Sequence, residues 1–199
     1  MTIFTILATA LLAQAPVAAP APATVRVTLT TSAGPIVLEL EKERAPLTVA
    51  NFLRYVDGKR LDGSSFYRTV RTVNATEYGL VQFGNQNDPK RTFPPVAHEP
   101  TSRTGLSHKS GTLSLARAAP GTGAGDFFIV IGDTPSLDAD PAAAGDNAGF
   151  AAFGRVAEGM DVVKAIHAAA TDPVKGQGVM KGQFLAAPVR ILTARRVKP

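Results

Sequence analysis

The chain contains no cysteine, which excludes disulfides, thiolate metal sites and cysteine nucleophiles. This absence does not fix a compartment, because an exported domain with a good core needs no covalent staple. A long apolar run is missing too. Ile3 to Leu12 is a largely apolar stretch of ten residues, too short to span a bilayer, so no stable membrane span is expected. The 21 lysines and arginines give a net charge of +5, yet no five of them stand together and no stacking motif accompanies them. That basicity reads as a solvated surface, and nucleic acid is not expected as a partner. His98, His108 and His167 lack ligand spacing, and Asp138, Asp140 and Asp146 lack the full calcium-loop signature. No metal and no cofactor are therefore expected. Gly121-Thr122-Gly123-Ala124-Gly125 is glycine-rich, but it precedes a strand candidate and no Lys-Ser or Lys-Thr follows, which argues against a phosphate loop.

What is present fits one globular domain: 199 residues, 45% hydrophobic and 19% charged. Residues 1–24 stand apart, with no charged side chain. The apolar run is followed by Ala13-Gln14-Ala15, small residues at signal-peptidase spacing, and then by an Ala/Pro-rich stretch to Thr24. This pattern predicts a signal peptide and linker over 1–24, a single domain over 25–199, and a periplasmic or secreted location.

Val25-Arg26-Val27-Thr28-Leu29 and Ile36-Val37-Leu38-Glu39-Leu40 alternate around the turn cluster Ser32-Ala33-Gly34-Pro35, the pattern of a β-hairpin. A helix is predicted from Pro46, with an apolar stripe at Val49, Phe52, Leu53 and Val56 and Gly58 as its C-terminal cap. Further strands are predicted at 65–70, 80–83, 112–116, 127–131, 151–156 and 189–195, and a second helix at 160–168. Asn85 to Lys109 and Pro135 to Gly149 read as long surface loops. Eight short strands with two helices suggest a mainly β fold, a closed barrel whose ends the helices plug over Phe52 and Val163.

Several segments resemble one family in its own order. Ala45-Pro46-x-Thr48-Val49-x-Asn51-Phe52 is similar to the first cyclophilin helix, Phe66-Tyr67-Arg68 to the strand with the catalytic arginine, and Leu80-Val81-Gln82 to the strand with the active-site glutamine. Gly111 to Ala118, Gly125 to Ile129, and Phe153 to Val163 resemble the central strands and the entry to the second helix. The resemblance, carried by six matches in order, extends over residues 25–197. The resemblance implies a bacterial, exported cyclophilin, a peptidyl-prolyl cis/trans isomerase on an eight-stranded antiparallel barrel capped by two helices. It implies Xaa-Pro polypeptides as partners and a monomer.

That chemistry suits the residues. Rotation about an Xaa-Pro bond faces a barrier of about 18–20 kcal/mol, and the twisted amide leaves a localised lone pair on the prolyl nitrogen. A hydrogen-bond donor answers it without nucleophile or metal. Arg68, always charged and planar, fits the role the resemblance gives it; composition alone would make it a surface-strand arginine in an ion pair. A ten-thousandfold acceleration needs about 5.4 kcal/mol, and one charge-assisted hydrogen bond supplies about 1.5–3 kcal/mol. The remainder must come from gripping the peptide. Gln82 is expected to clamp the substrate backbone, or else to bond a neighbouring strand. Leu80, Phe128 and Leu137 match the family's proline pocket. Phe127 and Phe128 are adjacent, so one faces the core and the other is free for the pocket; the resemblance selects Phe128. Tyr67, Ala116, Arg117, Ala118, Asp126 and Phe150 complete the expected substrate-binding set.

The departures are specific. Gly79 stands where the family has phenylalanine, with Tyr78 or Phe83 as candidates to fill the gap. Asp126 replaces a glutamine, Arg117 an asparagine, Phe150 a histidine or tyrosine, and Ser136 a tryptophan that contacts cyclosporin. A shallower pocket and weak cyclosporin binding are the expected results. A non-catalytic proline-peptide-binding or chaperone module on the same fold is the alternative.

Overall fold

The computed structural model describes residues 23–72 and 75–198; most of the expected leader lies outside the described residues. Eight strands are found among them: β1 Val25–Thr31, β2 Gly34–Leu40, β3 Ser65–Thr72, β4 Ala75–Gly84, β5 Thr112–Leu115, β6 Asp126–Ile131, β7 Ala151–Glu158 and β8 Phe184–Arg196. They close into a barrel in the order β1-β2-β7-β5-β6-β4-β3-β8 with every neighbouring pair antiparallel. Closure leaves no free sheet edge. The expected mainly β barrel is thus the observed one.

Alternation decides what fills it. Val27 and Leu29 of β1 and Ile36, Leu38 and Leu40 of β2 are all fully buried. The helices α1, Pro46–Asp57, and α3, Met160–Ala168, plug the barrel as the apolar stripes predict. Phe52 and Val163 are completely buried. Phe52 meets Phe127 edge to face at 4.9 Å and Phe153 at 5.5 Å, and Phe127 also packs on Phe83. Each such side chain contributes about 1.5–3 kcal/mol of apolar burial.

Three features differ from the sequence reading. β8 begins at Phe184 rather than Val189. Its early part was hidden by Pro188, which lacks an N–H to donate and falls where the β3–β8 register jumps from Phe66↔Val189 to Arg68↔Phe184. β4 starts at Ala75, and Gly79 sits inside it because a side chain there would lie 2.0 Å from the Val70 carbonyl oxygen. Gly58 is the C-terminal cap of α1 as expected, at φ −78°, and the left-handed residue is the next one, Lys59, at φ 53°. The stretch from Asn85 to Lys109 is not merely a surface loop. It contains a short helix α2, Thr101–Thr104, and carries Glu99 and His108 into the interior, at 0% and 1% exposure. Ala45 offers no side chain to cap α1. The Glu99 carboxylate accepts instead from the Leu47 amide at 3.2 Å, the Thr48 amide at 2.7 Å and the Thr48 hydroxyl at 2.7 Å, answering orphan donors at the positive helix end.

Candidate active site

The site begins with an irregularity in β3. Strict alternation would place Phe66 and Arg68 on one face. Phe66 is in the core, yet the register shift between Phe66↔Phe83 and Arg68↔Gln82 sets Tyr67 and Arg68 against a single partner residue. This β-bulge re-aims the strand, so Arg68 leaves the core side and Tyr67 lies beside it. Bulges of this kind commonly serve to direct a side chain beside a site.

Arg68 is half-buried and has only neutral partners. Its Nη1 donates to Oε1 of Gln82 at 2.8 Å, and Nε and Nη2 donate to Oε1 of Gln183 at 2.9 and 2.5 Å. It forms no ion pair among the described residues. Burial lowers its pKa from the ordinary guanidinium value without a carboxylate to offset that effect. The side chain is a donor fork held with its charge uncompensated.

A hydrogen-bond chain continues behind it. Nε2 of Gln82 donates to the Tyr67 hydroxyl at 2.7 Å, and that hydroxyl donates to Oδ1 of Asp126 at 3.0 Å. The Gln86 and Asn87 amides donate to the same carboxylate at 2.9 and 3.1 Å. A carboxylate only accepts, so Tyr67 must donate to it, Gln82 must turn its nitrogen to Tyr67, and the Gln82 oxygen then faces Arg68. Burial raises the Asp126 pKa above the usual carboxylate value against these donors. Burial, with the nearby Asp126 charge second, pushes the Tyr67 phenol far up. Gln86 and Asn87 themselves hold positive φ, 52° and 57°, in the loop that Asp126 ties down.

Above Arg68 lies a cavity of about 570 Å³ lined by Leu80, Gln82, Ala116, Arg117, Ala118, Asp126, Phe128, Leu137 and Phe150, together with Val70, Asn87 and Met180. Every predicted site residue except Tyr67 lines it; Tyr67 lies underneath, 7% exposed. Phe127 is in the core and Phe128 faces the cavity, as adjacent strand residues must. Phe128 meets Phe150 edge to face at 5.3 Å. Arg117 lines the cavity with its guanidinium committed to protein partners. Its guanidinium sits 5.0 Å over the Phe150 ring and donates to Gly149 O and to the Asp146 carboxylate.

Other side chains fall differently from expectation. Asp126 is 6% exposed, and its oxygens are engaged by protein donors. Neither Tyr78 nor Phe83 fills the space left by Gly79: Phe83 is fully buried in the core, and Tyr78 lines a separate cavity of about 680 Å³ with Gly132, Lys164 and His167. Val70 and Met180 line the active cavity instead. Ser136 is exposed and borders a neighbouring cavity of about 380 Å³ that shares Arg117, Ala118 and Phe150. Sequence reasoning missed Gln183 and Met180, which stand in an irregular segment with no period to read. It also missed His108, stacked on Phe128 at 6.1 Å. Nδ1 of His108 bonds the Asp138 carboxylate at 2.6 Å and Nε2 bonds the Ser114 hydroxyl at 3.0 Å. The trio resembles a hydrolytic triad, but Ser114 is 0% exposed, so no substrate reaches its oxygen. It supports the Phe128 wall.

An arginine fork stands beside an apolar cavity on the outer side of a helix-capped barrel, and comparison with known proteins shows the class of molecule. The sequence model of the family described as "Cyclophilin type peptidyl-prolyl cis-trans isomerase/CLD" matches residues 26–195. The chain is 37% identical over 151 residues to peptidyl-prolyl cis-trans isomerase cyp18 of Streptomyces antibioticus, covering 75% of this chain and 87% of that one. It is 32% identical over 180 residues to a peptidyl-prolyl cis-trans isomerase of Acinetobacter baylyi, covering 90% and 89%. A crystal structure of a cyclophilin type peptidyl-prolyl cis-trans isomerase from Cryptosporidium parvum, in the presence of the dipeptide Ala-Pro, superposes with a TM-score of 0.69 at 18% identity over 87% of this chain and 99% of that one. The chain belongs to the cyclophilin-type peptidyl-prolyl cis-trans isomerases, and it is an enzyme of that class.

Proposed function

We propose that this enzyme accelerates rotation about Xaa-Pro bonds in peptides and folding proteins, with Arg68 donating to the prolyl nitrogen as the amide twists. The observation that carries this reading is the half-buried, carboxylate-free guanidinium at the floor of an apolar cavity. An arginine has five N–H donors, and three are engaged, so one remains on each terminal nitrogen. The planar amide ground state has little lone-pair density on nitrogen, so the interaction strengthens only on twisting, and such differential binding raises the rate. Leu80, Phe128, Leu137 and Phe150 hold the proline ring while the preceding carbonyl turns. Because Gln82 is engaged by Arg68 and Tyr67, its main contribution is to fix Arg68 rather than to clamp the peptide.

The test is a protease-coupled isomerisation assay on the chain, with Xaa-Pro peptide binding measured in parallel. Faster exchange together with binding supports the enzyme. Binding without acceleration would support the non-catalytic module and overturn this reading.

We also propose that the protein is exported, on the strength of the uncharged, Ala-rich residues 1–24, and, from the family resemblance alone, that it is bacterial and a monomer. The N-terminus of protein from native cells should then lie between Ala10 and Thr24. Intact Met1 on cytoplasmic protein would contradict export.

A further inference from the structure

We infer that Gln183 is a positioning residue for Arg68, and that the segment 172–183 is a working wall of the active site. The inference rests on the catalytic reading of Arg68. The Gln183 carboxamide is fixed at both ends: its oxygen accepts from Nε and Nη2 of Arg68, and its nitrogen donates to the Val179 carbonyl at 2.7 Å. Arginine only donates and a carbonyl only accepts, so this amide has one orientation that satisfies both.

The backbone around Gln183 is anchored as well. Its carbonyl accepts from the Thr69 amide at 2.8 Å, immediately after Arg68, and its own amide donates to Met180 at 3.2 Å. Asp172 holds the Val174 and Lys175 amides at 3.0 and 3.3 Å, and the Lys175 carbonyl accepts from Gly182 at 2.9 Å. The segment therefore presents Gln183 from a tied loop. Two bonds from Nε and Nη2 to one oxygen fix the plane of the guanidinium, while Gln82 fixes its far corner. Without Gln183, Arg68 keeps its charge and its Gln82 contact but can rotate about its stem. Misplacing a catalytic group by about 1 Å can cost roughly a hundredfold; loss of one of two supports should cost about tenfold.

The experiment is a double-mutant cycle on the full chain, measuring kcat and KM for an Ala-Pro-containing peptide and confirming folding by thermal melting. Gln183→Ala should lower kcat about tenfold and leave KM unchanged. In an Arg68→Ala background it should cost no further activity, because there is no guanidinium left to orient. Wild-type kcat in Gln183→Ala, or an equal loss in both backgrounds, would overturn the inference. If Arg68→Ala alone keeps full activity, the catalytic reading falls and this inference with it. An equal loss in both backgrounds would sink the Gln183 inference alone.

Discussion

The wall of the site built from strands and the wall built from loops are held by different forces. The strand wall, with Arg68, Leu80, Gln82 and Phe128, is placed by barrel pairing, and its far side is an apolar core of Phe66, Phe83 and Phe127. The loop wall, residues 116–125, 135–150 and 172–183, contributes no buried residue to the apolar core cluster. It is placed by polar groups: His108 on Asp138, Arg117 on Gly149 and Gln183 on Arg68. Burial without pairing costs free energy, so each of these anchors holds a loop in place only while its partners are satisfied. The strand wall should keep its backbone when a polar contact is lost, even where a side chain it carries loses its orientation. The loop wall should not.

The largest break in this contrast is expected at Glu99, the polar anchor that serves the scaffold rather than the groove. Glu99→Ala strands the Leu47 and Thr48 amides at the start of α1 and should cost about 2–4 kcal/mol. That corresponds to a fall in Tm of about 5–12 °C for a domain of this size, with activity per folded molecule preserved. A Tm within 2 °C of wild type would show that water replaces the carboxylate freely. Next is Gln82→Ala. If Gln82 orients Arg68, kcat should drop about tenfold, roughly 1.4 kcal/mol, with peptide affinity near wild type. A rise in KM with kcat intact would return Gln82 to the role of backbone clamp.

Ser136 probes the loop wall by addition. Wild-type cyclosporin affinity should be weaker by at least about tenfold than in relatives carrying tryptophan there, since a large aromatic contact is missing. Ser136→Trp should recover part of it. Nanomolar inhibition of the wild type would contradict the placement of Ser136. The smallest effect expected is the response to acid. Burial lowers the pKa of His108 and of His167 below the ordinary imidazole value. Their depressed values mean that the unfolded chain binds more protons as pH falls, so stability is full above about pH 6.5 and declines as pH drops through the folded values. Glu39, Asp57 and Asp62, whose pKa values their arginine partners lower, add a separate loss only in the carboxylate range below. Tm measured from pH 7 to pH 5 should fall, and His108→Gln should flatten that slope. An unchanged slope in the variant would remove His108 from this account.

The same contrast explains what could be read in advance. The hairpin and both plugging helices follow from apolar period, which the sequence displays directly; the split between Phe127 and Phe128 follows from their adjacency in a strand, with the resemblance choosing Phe128. The proline-interrupted start of β8 did not follow, since Ala186-Ala187-Pro188 carries no alternation. Arg68, Gln82 and the cavity residues were legible through motif resemblance, yet the bulge at Tyr67 that turns Arg68 outward is a matter of pairing between strands distant in sequence. Gln183 was not legible at all. It lies 115 residues from Arg68, in a stretch whose glycines mark turns without saying what they face. The residue that Asp126 replaces points to a contact with substrate; its role as an internal acceptor appears only once Tyr67, Gln86 and Asn87 are brought around it.

The most direct test of the central claim is the effect of Arg68→Ala on catalysis, measured beside its effect on peptide binding. If the guanidinium acts on the twisted prolyl nitrogen, kcat and kcat/KM should fall together by about thirty- to a thousandfold, about 2–4 kcal/mol, while peptide affinity changes little. Arg68→Lys should rescue little, because a point charge on a flexible stem cannot reproduce the planar fork. A folded Arg68→Ala protein with wild-type isomerase activity would contradict the account.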